Sequence, residues 1–519
     1  MKQLSRRQFG QGAAALVAVT WGGCAPWEYA DLEHGLNRLT DAPPPSALEW
    51  RVLNRLAYGP RPGDLSRLRD QGLDAWIEEQ LAPESIPESP DLSAALDRLT
   101  TLNLPVDEAR DCETDWEPDG AVAPLVHAVF KLGKRREPPP GVVRQELVQA
   151  TVLRAAYGAR SLQEVLVEFW SDHFNIDQQK GDCRWLKTVD DRLIRQHALG
   201  RFRDLLGASA HSPAMLFYLD NFKNRKAESA SGARLNENYA RELLELHTLG
   251  DTSAYTLTDI QEVARVLTGW TIDDAWNGSG GDFAFRAADH DEGEKVVLGE
   301  HFSAGQGERD GEHLLDLLAR HPLTARTITG KLCYRFLGVI PTELRDRLCQ
   351  VFLDRDGDLR AVLAELFRSD DFRRGTQPLF RPPFQFAIAA LRVLGVRTSG
   401  AGIGPYLESM RQRPFAWPLP DGYPRLPETW TAGLVGRWNF ALDLVRNQIG
   451  ETWINIESLE KTLRGQPPLK VWAELSRSVL GAPLEDPELQ ALAALNGTAV
   501  DVLSQRLALL LMSPQFQWC

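Results

Sequence analysis

Leu235-Asn-Glu-Asn-Tyr-Ala-Arg-Glu-Leu-Leu-Glu-Leu-His-Thr-Leu-Gly250 reads as one amphipathic helix closed by a glycine. At ~100° per residue, Glu237, Asn238, Arg241, Glu242 and Glu245 gather in one polar wedge. Tyr239, Ala240, Leu243, Leu244, Leu246 and His247 line the opposite side, so His247 points into a core. A second helix starts after a short turn, where Thr256 with Asp259, or Thr258 with Gln261, makes a capping-box pattern, and it ends at Leu267-Thr-Gly-Trp270. The two helices form a hairpin whose polar density exceeds what a scaffold requires.

Working outward, the same i, i+3, i+4 apolar spacing covers Pro45 to Leu81, Gly141 to Phe174, Leu186 to Leu206, Glu308 to Leu337 and Gln377 to Val396. The expected fold is therefore mainly α, a large multi-helix globular body. Phe283-Ala-Phe-Arg286 and Lys295-Val-Val-Leu298, flanking Asp289-His-Asp-Glu-Gly293, depart from the pattern and predict a small β-hairpin insertion near 283–299. Loops fall where proline, glycine and charge cluster, among them Ala25 to Ala47, Leu104 to Gly120 and Arg413 to Pro427. Length alone suggests roughly three domains at ~150 residues each, yet no linker separates the helical blocks. The expected organisation is a signal segment over 1–24, a tether over 25–47 and a single helical domain over 48–519 that has room for two lobes.

Composition narrows the function classes. The chain is 43% hydrophobic and 25% charged, an ordinary folded balance. Its 71 acidic against 58 basic side chains give a net charge of −13, so no basic field draws it to nucleic acid. Of six cysteines, setting aside Cys24 as the lipidation candidate leaves five without Cys-x-x-Cys spacing. That excludes a zinc ribbon and allows at most two disulfides. No Gly-x-Ser-x-Gly elbow, phosphate loop or Gly-x-Gly-x-x-Gly fingerprint occurs, so no nucleotide cofactor is expected. Asp354-Arg-Asp-Gly-Asp358 with Glu365 imitates a calcium loop, but Leu359 stands where the sharp bend needs glycine, and Asp358 reads instead as a helix N-cap.

The N-terminus sets the expected compartment. Ser5-Arg6-Arg7-Gln8-Phe9 is a paired-arginine region, Gly10 to Thr20 is a small and apolar run, and Trp21-Gly22-Gly23-Cys24 offers a lipobox-like end. The run is shorter than the ~20 residues of a spanning helix. The expectation is export by the twin-arginine route, cleavage, and lipidation of Cys24, leaving a periplasmic or extracytoplasmic protein held to the membrane by its anchor alone.

A resemblance runs through the rest of the chain. Val52-Leu-Asn-Arg-Leu-Ala-Tyr-Gly-Pro60, Glu168-Phe-Trp-Ser-Asp-His-Phe-Asn175, Pro213-Ala-Met-Leu-Phe-Tyr-Leu-Asp-Asn221, the Asn236 to Gly250 block, Ala264-Arg-Val-Leu-Thr-Gly-Trp270 and Arg437-Trp-Asn-Phe440 occur in an order that resembles the secreted bacterial family called domain of unknown function 1800. The resemblance covers nearly everything from about Leu48 onward. It implies an exported protein, often encoded beside a sulfatase-like exported family that is the expected partner. It implies no reaction.

Side chains supply the chemical candidates. His173, between Asp172 and Asn175 at the end of an apolar helix, is the first choice for an acid or a metal ligand. Glu237 or Glu242 is the candidate general base, and His173 with Glu242 is the best pair for a divalent metal. Glu242 and His247 lie five positions apart, ~140° on an α-helix, which argues against a shared ligand shell for those two. Asn175, Asp220, Asn221, Asn238, Arg241, Glu245 and Trp270 form the expected ligand-binding or polar network. The alternative for the whole wedge is an ion network that holds helices together, where stranding one charge costs ~3–5 kcal/mol. Trp170 and Trp270 read as core anchors, and Trp185 and Trp276 as ligand contacts. Two functions follow: a cell-envelope binding or assembly protein, or a metal-assisted or carboxylate-dependent hydrolase of an envelope polymer. The enzyme reading requires His173 and the Glu237 to Glu245 wedge to line one cleft.

Overall fold

The computed structural model describes residues 45–113, 141–227, 235–273, 281–375, 377–463, 466–484, 487–488, 491 and 499–519. The signal segment, Cys24 and Trp276 lie outside the described residues. The fold is mainly α with small two-stranded hairpins.

Five short helices lead in: α1 (Ala47–Arg55), α2 (Asp64–Gln71), α3 (Leu73–Leu81), α4 (Pro90–Leu96) and α5 (Val106–Glu113). The centre is α6 (Val142–Tyr157), α7 (Ser161–His173), α8 (Cys183–His197), α9 (Phe202–Ala210) and α10 (Pro213–Tyr218). Next come α11 (Asn238–Glu242), continued by a π-helix over Leu243–Thr248, and α12 (Leu257–Val266). Beyond the strands lie α13 (Arg309–Ala319), α14 (Pro322–Leu337), α15 (Thr342–Asp354), α16 (Leu359–Arg368), α17 (Asp370–Arg374) and α18 (Pro383–Val393). The chain closes with α19 (Gly404–Ser409), α20 (Leu434–Val445), α21 (Ile456–Leu463), α22 (Pro468–Leu480), α23 (Ala499–Met512) and α24 (Pro514–Gln517).

Caps read from sequence are present. Thr256 accepts the Asp259 N–H while the Asp259 carboxylate accepts the Thr256 N–H, a reciprocal capping box at the start of α12. Asp358 accepts the Ala361 N–H and caps α16, not a calcium loop.

The 283–299 region is β, with a pairing different from the expected one. β2 (Phe283–Phe285) pairs with β1 (Trp270–Ile272), and β3 (Lys295–Val297) pairs with β4 (Glu300–Phe302). Leu298 and Gly299, both at positive φ (52° and 83°), close β3 onto β4 as a two-residue turn. That tight turn outcompetes the longer loop through Asp289–Gly293. A third pair, β5 (Arg397–Thr398) with β6 (Thr452–Trp453), lies near the C-terminal helices.

Trp170 and Trp270 are fully buried, as core anchors should be. Trp185 is buried too, at 4% exposure, which withdraws it from the surface as a ligand contact. The five described cysteines, Cys112, Cys183, Cys333, Cys349 and Cys519, are all free thiols. Among the described residues no helix is long and apolar enough to cross a membrane.

Buried arginines clamp distant segments. Arg392 donates to the Gly59 carbonyl (2.7 Å), the Ala155 carbonyl (3.1 Å) and Asp64 (3.1 Å), joining α18 to the α1–α2 turn and to α6. Arg437 donates to Gln517 (2.7 Å) and the Arg381 carbonyl (2.8 Å) and lies over Phe380 and Phe386. The last residue, Cys519, exchanges both backbone hydrogen bonds with Leu379 at 2.8 Å. These ties place Trp518 and the entry to α18 beside α7 and α14, where a cavity opens.

Candidate functional site

Helix α7 has two chemically different sides. Glu164, Glu168 and Asp172 follow one another at four-residue intervals and stand in one row. Together with Val167, Phe169, Ser171 and Asn175 they form one wall of a cavity of about 250 Å³. The facing walls come from Tyr334 and Arg335 of α14, from Phe384 and Gln385 of α18, and from Leu379, Phe380 and Trp518. A strap over Arg413–Pro427 supplies Pro414, Phe415, Tyr423, Pro424, Arg425 and Pro427. Aromatic rings and prolines make up much of the walls, with polar groups from the α7 row, Arg335, Gln385, Arg425, Thr151 and Gln412, a common composition for a small-molecule site.

Each carboxylate of the row has a cation near it. Arg195 donates to Glu164 at 2.5 Å, and Arg195 and Arg154 both reach Asp191 behind it. Arg335 lies 3.7 Å from Glu168, which also accepts from Gln385 at 3.4 Å. Asp172 accepts the Tyr423 N–H at 2.6 Å. Burial pushes the Asp172 carboxyl up to about 6, against the opposing pull of Arg425. The Ser171 hydroxyl is buried on this wall without a hydrogen-bond partner among the described residues.

The strap is fastened to α7 and its C-terminal extension. Asn175 donates to the Trp417 carbonyl (2.9 Å) and the Leu419 carbonyl (2.7 Å), Tyr218 donates to the Pro418 carbonyl (2.8 Å), and the Gln178 N–H donates to the Phe415 carbonyl (2.8 Å). Gly422, at φ +76°, lies against the Asp172 backbone, where an added Cβ would stand 2.2 Å from the carbonyl oxygen. The expected Arg413–Pro427 loop is thus one wall of the cavity.

His173 projects from the other side of α7. Its Nε2 is 3.1 Å from the His247 carbonyl, and its Nδ1 is 2.9 Å from Lys331 Nζ. A carbonyl only accepts, so Nε2 carries the hydrogen and Nδ1 presents a lone pair to Lys331. Lys331 also donates to the Leu246 carbonyl at 3.2 Å. Leu246 and His247 lie in the last turn of the π-helix, where their carbonyls have no later helical N–H to pair with and are open to Lys331 and His173. Burial holds the His173 imidazole well below its usual range, with Lys331 adding repulsion. Burial likewise pushes Lys331 down to about 7, Arg425 adding repulsion and Asp172 opposing it. His247 is buried with neither ring nitrogen bonded among the described residues and is held at about 3, by burial first and Lys331 second.

The polar wedge faces the other way. Arg241, Glu242 and Glu245 are half-buried, and Glu237 lies 3.8 Å from Arg241. Burial, then Glu245 and Asp421, raises the Glu242 carboxyl. His173 therefore does not share a cleft with Glu237 and Glu242. Both of its nitrogens are occupied inside the protein, and the pair does not make a common donor set for a metal. Among the described residues no group of three or more His, Cys, Asp or Glu side chains is placed to hold a metal ion.

The asparagine and aspartate candidates form a structural clamp. Asn221 donates to the Leu267 carbonyl (3.2 Å) and the Trp270 carbonyl (3.1 Å), and accepts from Asn224 (3.3 Å). Asn236 donates to the Asp220 carbonyl (3.0 Å) and Asn238 to the Leu219 carbonyl (3.2 Å). Asp220, at φ +60°, pairs with Lys180 and Lys223 at the surface. Trp270 packs its ring on His211 at 4.6 Å. Of the sequence candidates, Asn175 alone reaches the cavity. Glu164, Glu168, Asp172, Arg335, Arg425 and Lys331 were missed, although the four-residue carboxylate spacing on an apolar helix was a readable signal.

Fold and cavity together define a mainly helical protein with an apolar cavity built along a carboxylate-bearing helix. The chain belongs to the family described as Protein of unknown function (DUF1800), whose family model matches residues 51–518. No curated protein and no solved structure matches the chain.

Proposed function

We propose that this protein binds an amphipathic, uncharged ligand of the cell envelope in the α7 cavity, as an exported and lipid-anchored binding or assembly factor. The cavity carries the reading. Its walls are aromatic and proline-rich, and the charges of the α7 row are balanced within the protein by Arg195, Arg335 and Arg425. A ligand with net charge would unbalance that set in a partly dehydrated space, where an unpaired charge is costly. Paired Arg6 and Arg7 and the Gly22-Gly23-Cys24 end support export and anchoring, and the family resemblance supports a sulfatase-like exported partner.

The test uses protein purified from its native envelope. Native mass spectrometry should show a retained neutral amphiphile, or its uptake from an envelope lipid and glycan extract. Ser171→Trp, which fills the cavity, should abolish retention while the melting transition stays cooperative. Wild-type protein that takes up nothing the filled variant does not also take up ends the reading. In cells, Cys24→Ser should move the protein from the membrane to the soluble fraction, and Arg6→Lys with Arg7→Lys should block export.

A second reading, carboxylate-dependent hydrolysis, is supported by Asp172, whose carboxyl at about 6 is in the range of a general acid. Hydrolysis of an envelope extract lost in Asp172→Asn, with ligand retention intact, would favour it.

A further inference from the structure

We propose that the α7 cavity takes a neutral sugar ring, one unit of an envelope glycan, whose hydroxyls are held by Arg335, Glu168 and Ser171 and whose carbon face lies on Trp518. This deepens the ligand-binding reading by naming the class of ligand, and it rests on that reading.

Around this cavity the charges are balanced but hydrogen bonds are left unmade. Arg335 lies 3.7 Å from Glu168 and over the Phe336 ring, and it makes no hydrogen bond among the described residues. A guanidinium carries five N–H donors. Its side chain is 11% exposed and lines the cavity, so the cavity is where those donors find acceptors. Arg425, the second guanidinium of the lining, makes one long contact, 3.5 Å to the Lys331 carbonyl. Glu168 accepts from Gln385 at 3.4 Å with each oxygen, and the Tyr58 hydroxyl stands beside it. A carboxylate has about four acceptor positions, so lone pairs remain. Ser171, three residues further along α7, is 6% exposed, and its hydroxyl has no hydrogen-bond partner among the described residues. Such a buried group is costly unless something supplies the missing bond.

Hydroxyl groups meet these needs together. A hydroxyl both donates and accepts, so one placed between Arg335 and Glu168 accepts from the guanidinium and donates to the carboxylate without adding charge. An anionic or cationic ligand group satisfies one member of that pair and faces a like charge on the other. An alkyl chain satisfies neither. Glu168 and Ser171 share one side of α7 at i, i+3 spacing, so the hydroxyls of a single ring reach both.

The faces of a sugar ring are carbon and hydrogen. Trp518 is the most open aromatic ring of the lining, at 39% exposure, and packs edge to face with Phe380 at 5.3 Å between centroids. The C–H bonds of a pyranose carry slight positive charge and lie well against the electron-rich face of an indole.

The full chain is titrated, with native mass spectrometry as the readout, against neutral trisaccharides of glucose, galactose, mannose and N-acetylglucosamine. Monoolein, a neutral lipid, and trigalacturonate, an acidic sugar, are run in parallel. At least one neutral trisaccharide is expected to bind with a Kd of about 1 mM or tighter. Arg335→Lys keeps the charge beside Glu168 but loses the planar fork, and should weaken that binding about tenfold. Trp518→Ala should weaken it about fivefold. Ser171→Ala removes a hydroxyl with nothing to bond in the empty protein, so its melting temperature should match the wild type while affinity falls about fivefold. Binding of no neutral sugar, preference for trigalacturonate, or affinities that Arg335→Lys and Ser171→Ala leave unchanged overturn the proposal. Uptake of monoolein alone, lost in Ser171→Trp, removes the sugar and leaves the cavity reading standing. Uptake of neither sugar, lipid nor any component of an envelope extract removes both.

Discussion

Lys331 Nζ stands 2.9 Å from His173 Nδ1, a lysine donor facing a ring nitrogen that has only a lone pair to offer, across 158 positions of sequence. The relationship has a pH signature. The folded protein releases the Lys331 proton near 7, whereas the ordinary value is 10.5. Between those values the unfolded chain binds more protons, so stability rises with pH across this window, by at most about 1.4 kcal/mol per pH unit. Urea denaturation at pH 7, 8 and 9 should show the rise in the wild type and a flatter profile in Lys331→Met. Parallel profiles for the two proteins would refute the depressed lysine.

Asp291 behaves in the opposite sense. Arg265 grips it with two hydrogen bonds of 2.9 and 3.0 Å and holds its carboxyl at about 2, below the ordinary 3.8. The stabilisation is complete above the unfolded value and is lost as pH falls towards the folded one. Asp291→Asn should cost about 1–2 kcal/mol at pH 7 after allowance for partial exposure. At pH 3 the difference between the two proteins should shrink by roughly half, which denaturant titration at the two pH values can read.

Gly311 in α13 faces Trp270. A Cβ at Gly311 would stand 2.0 Å from the indole, which is fully buried. Helix propensity alone favours Gly→Ala by about 1 kcal/mol, so the sign of the effect distinguishes packing from propensity. Gly311→Ala should destabilise by about 2 kcal/mol or more, as overpacking does. A stabilised variant would mean that the Trp270 ring is free to move aside.

The local periodicities carried most of the architecture. Thr256 with Asp259 caps α12, Asp358 caps α16, and Tyr239, Leu243, Leu244 and His247 point inward where helical spacing put them. The site was less legible, for two physical reasons. Residues Leu243–Thr248 form a π-helix, and the free carbonyls of its last turn are a backbone property that apolar spacing does not report. Lys331 is one of three basic side chains of α14, with Arg326 and Arg335, and nothing local says that its acceptors lie at His173 and Leu246. The Glu164, Glu168 and Asp172 row was visible in the chain, but the strap and α18 that turn it into a cavity wall come from more than 200 residues downstream.

Asn221 separates a clamp from a ligand contact. Its amide donates to the Leu267 and Trp270 carbonyls and is 1% exposed, holding the end of α12 to the turn after α10. Asn221→Ala removes the side-chain donor from two carbonyls, of which Leu267 keeps the Trp270 N–H, and should cost about 1–3 kcal/mol. Asn221→Asp should be worse at neutral pH, because a carboxylate then faces those carbonyls with no hydrogen to give. Lowering the pH protonates the carboxyl and restores one donor, so the Asp variant should recover part of its deficit near pH 4 relative to the Ala variant. If both variants keep wild-type denaturation midpoints and lose only ligand uptake, Asn221 contacts a ligand and the clamp is wrong.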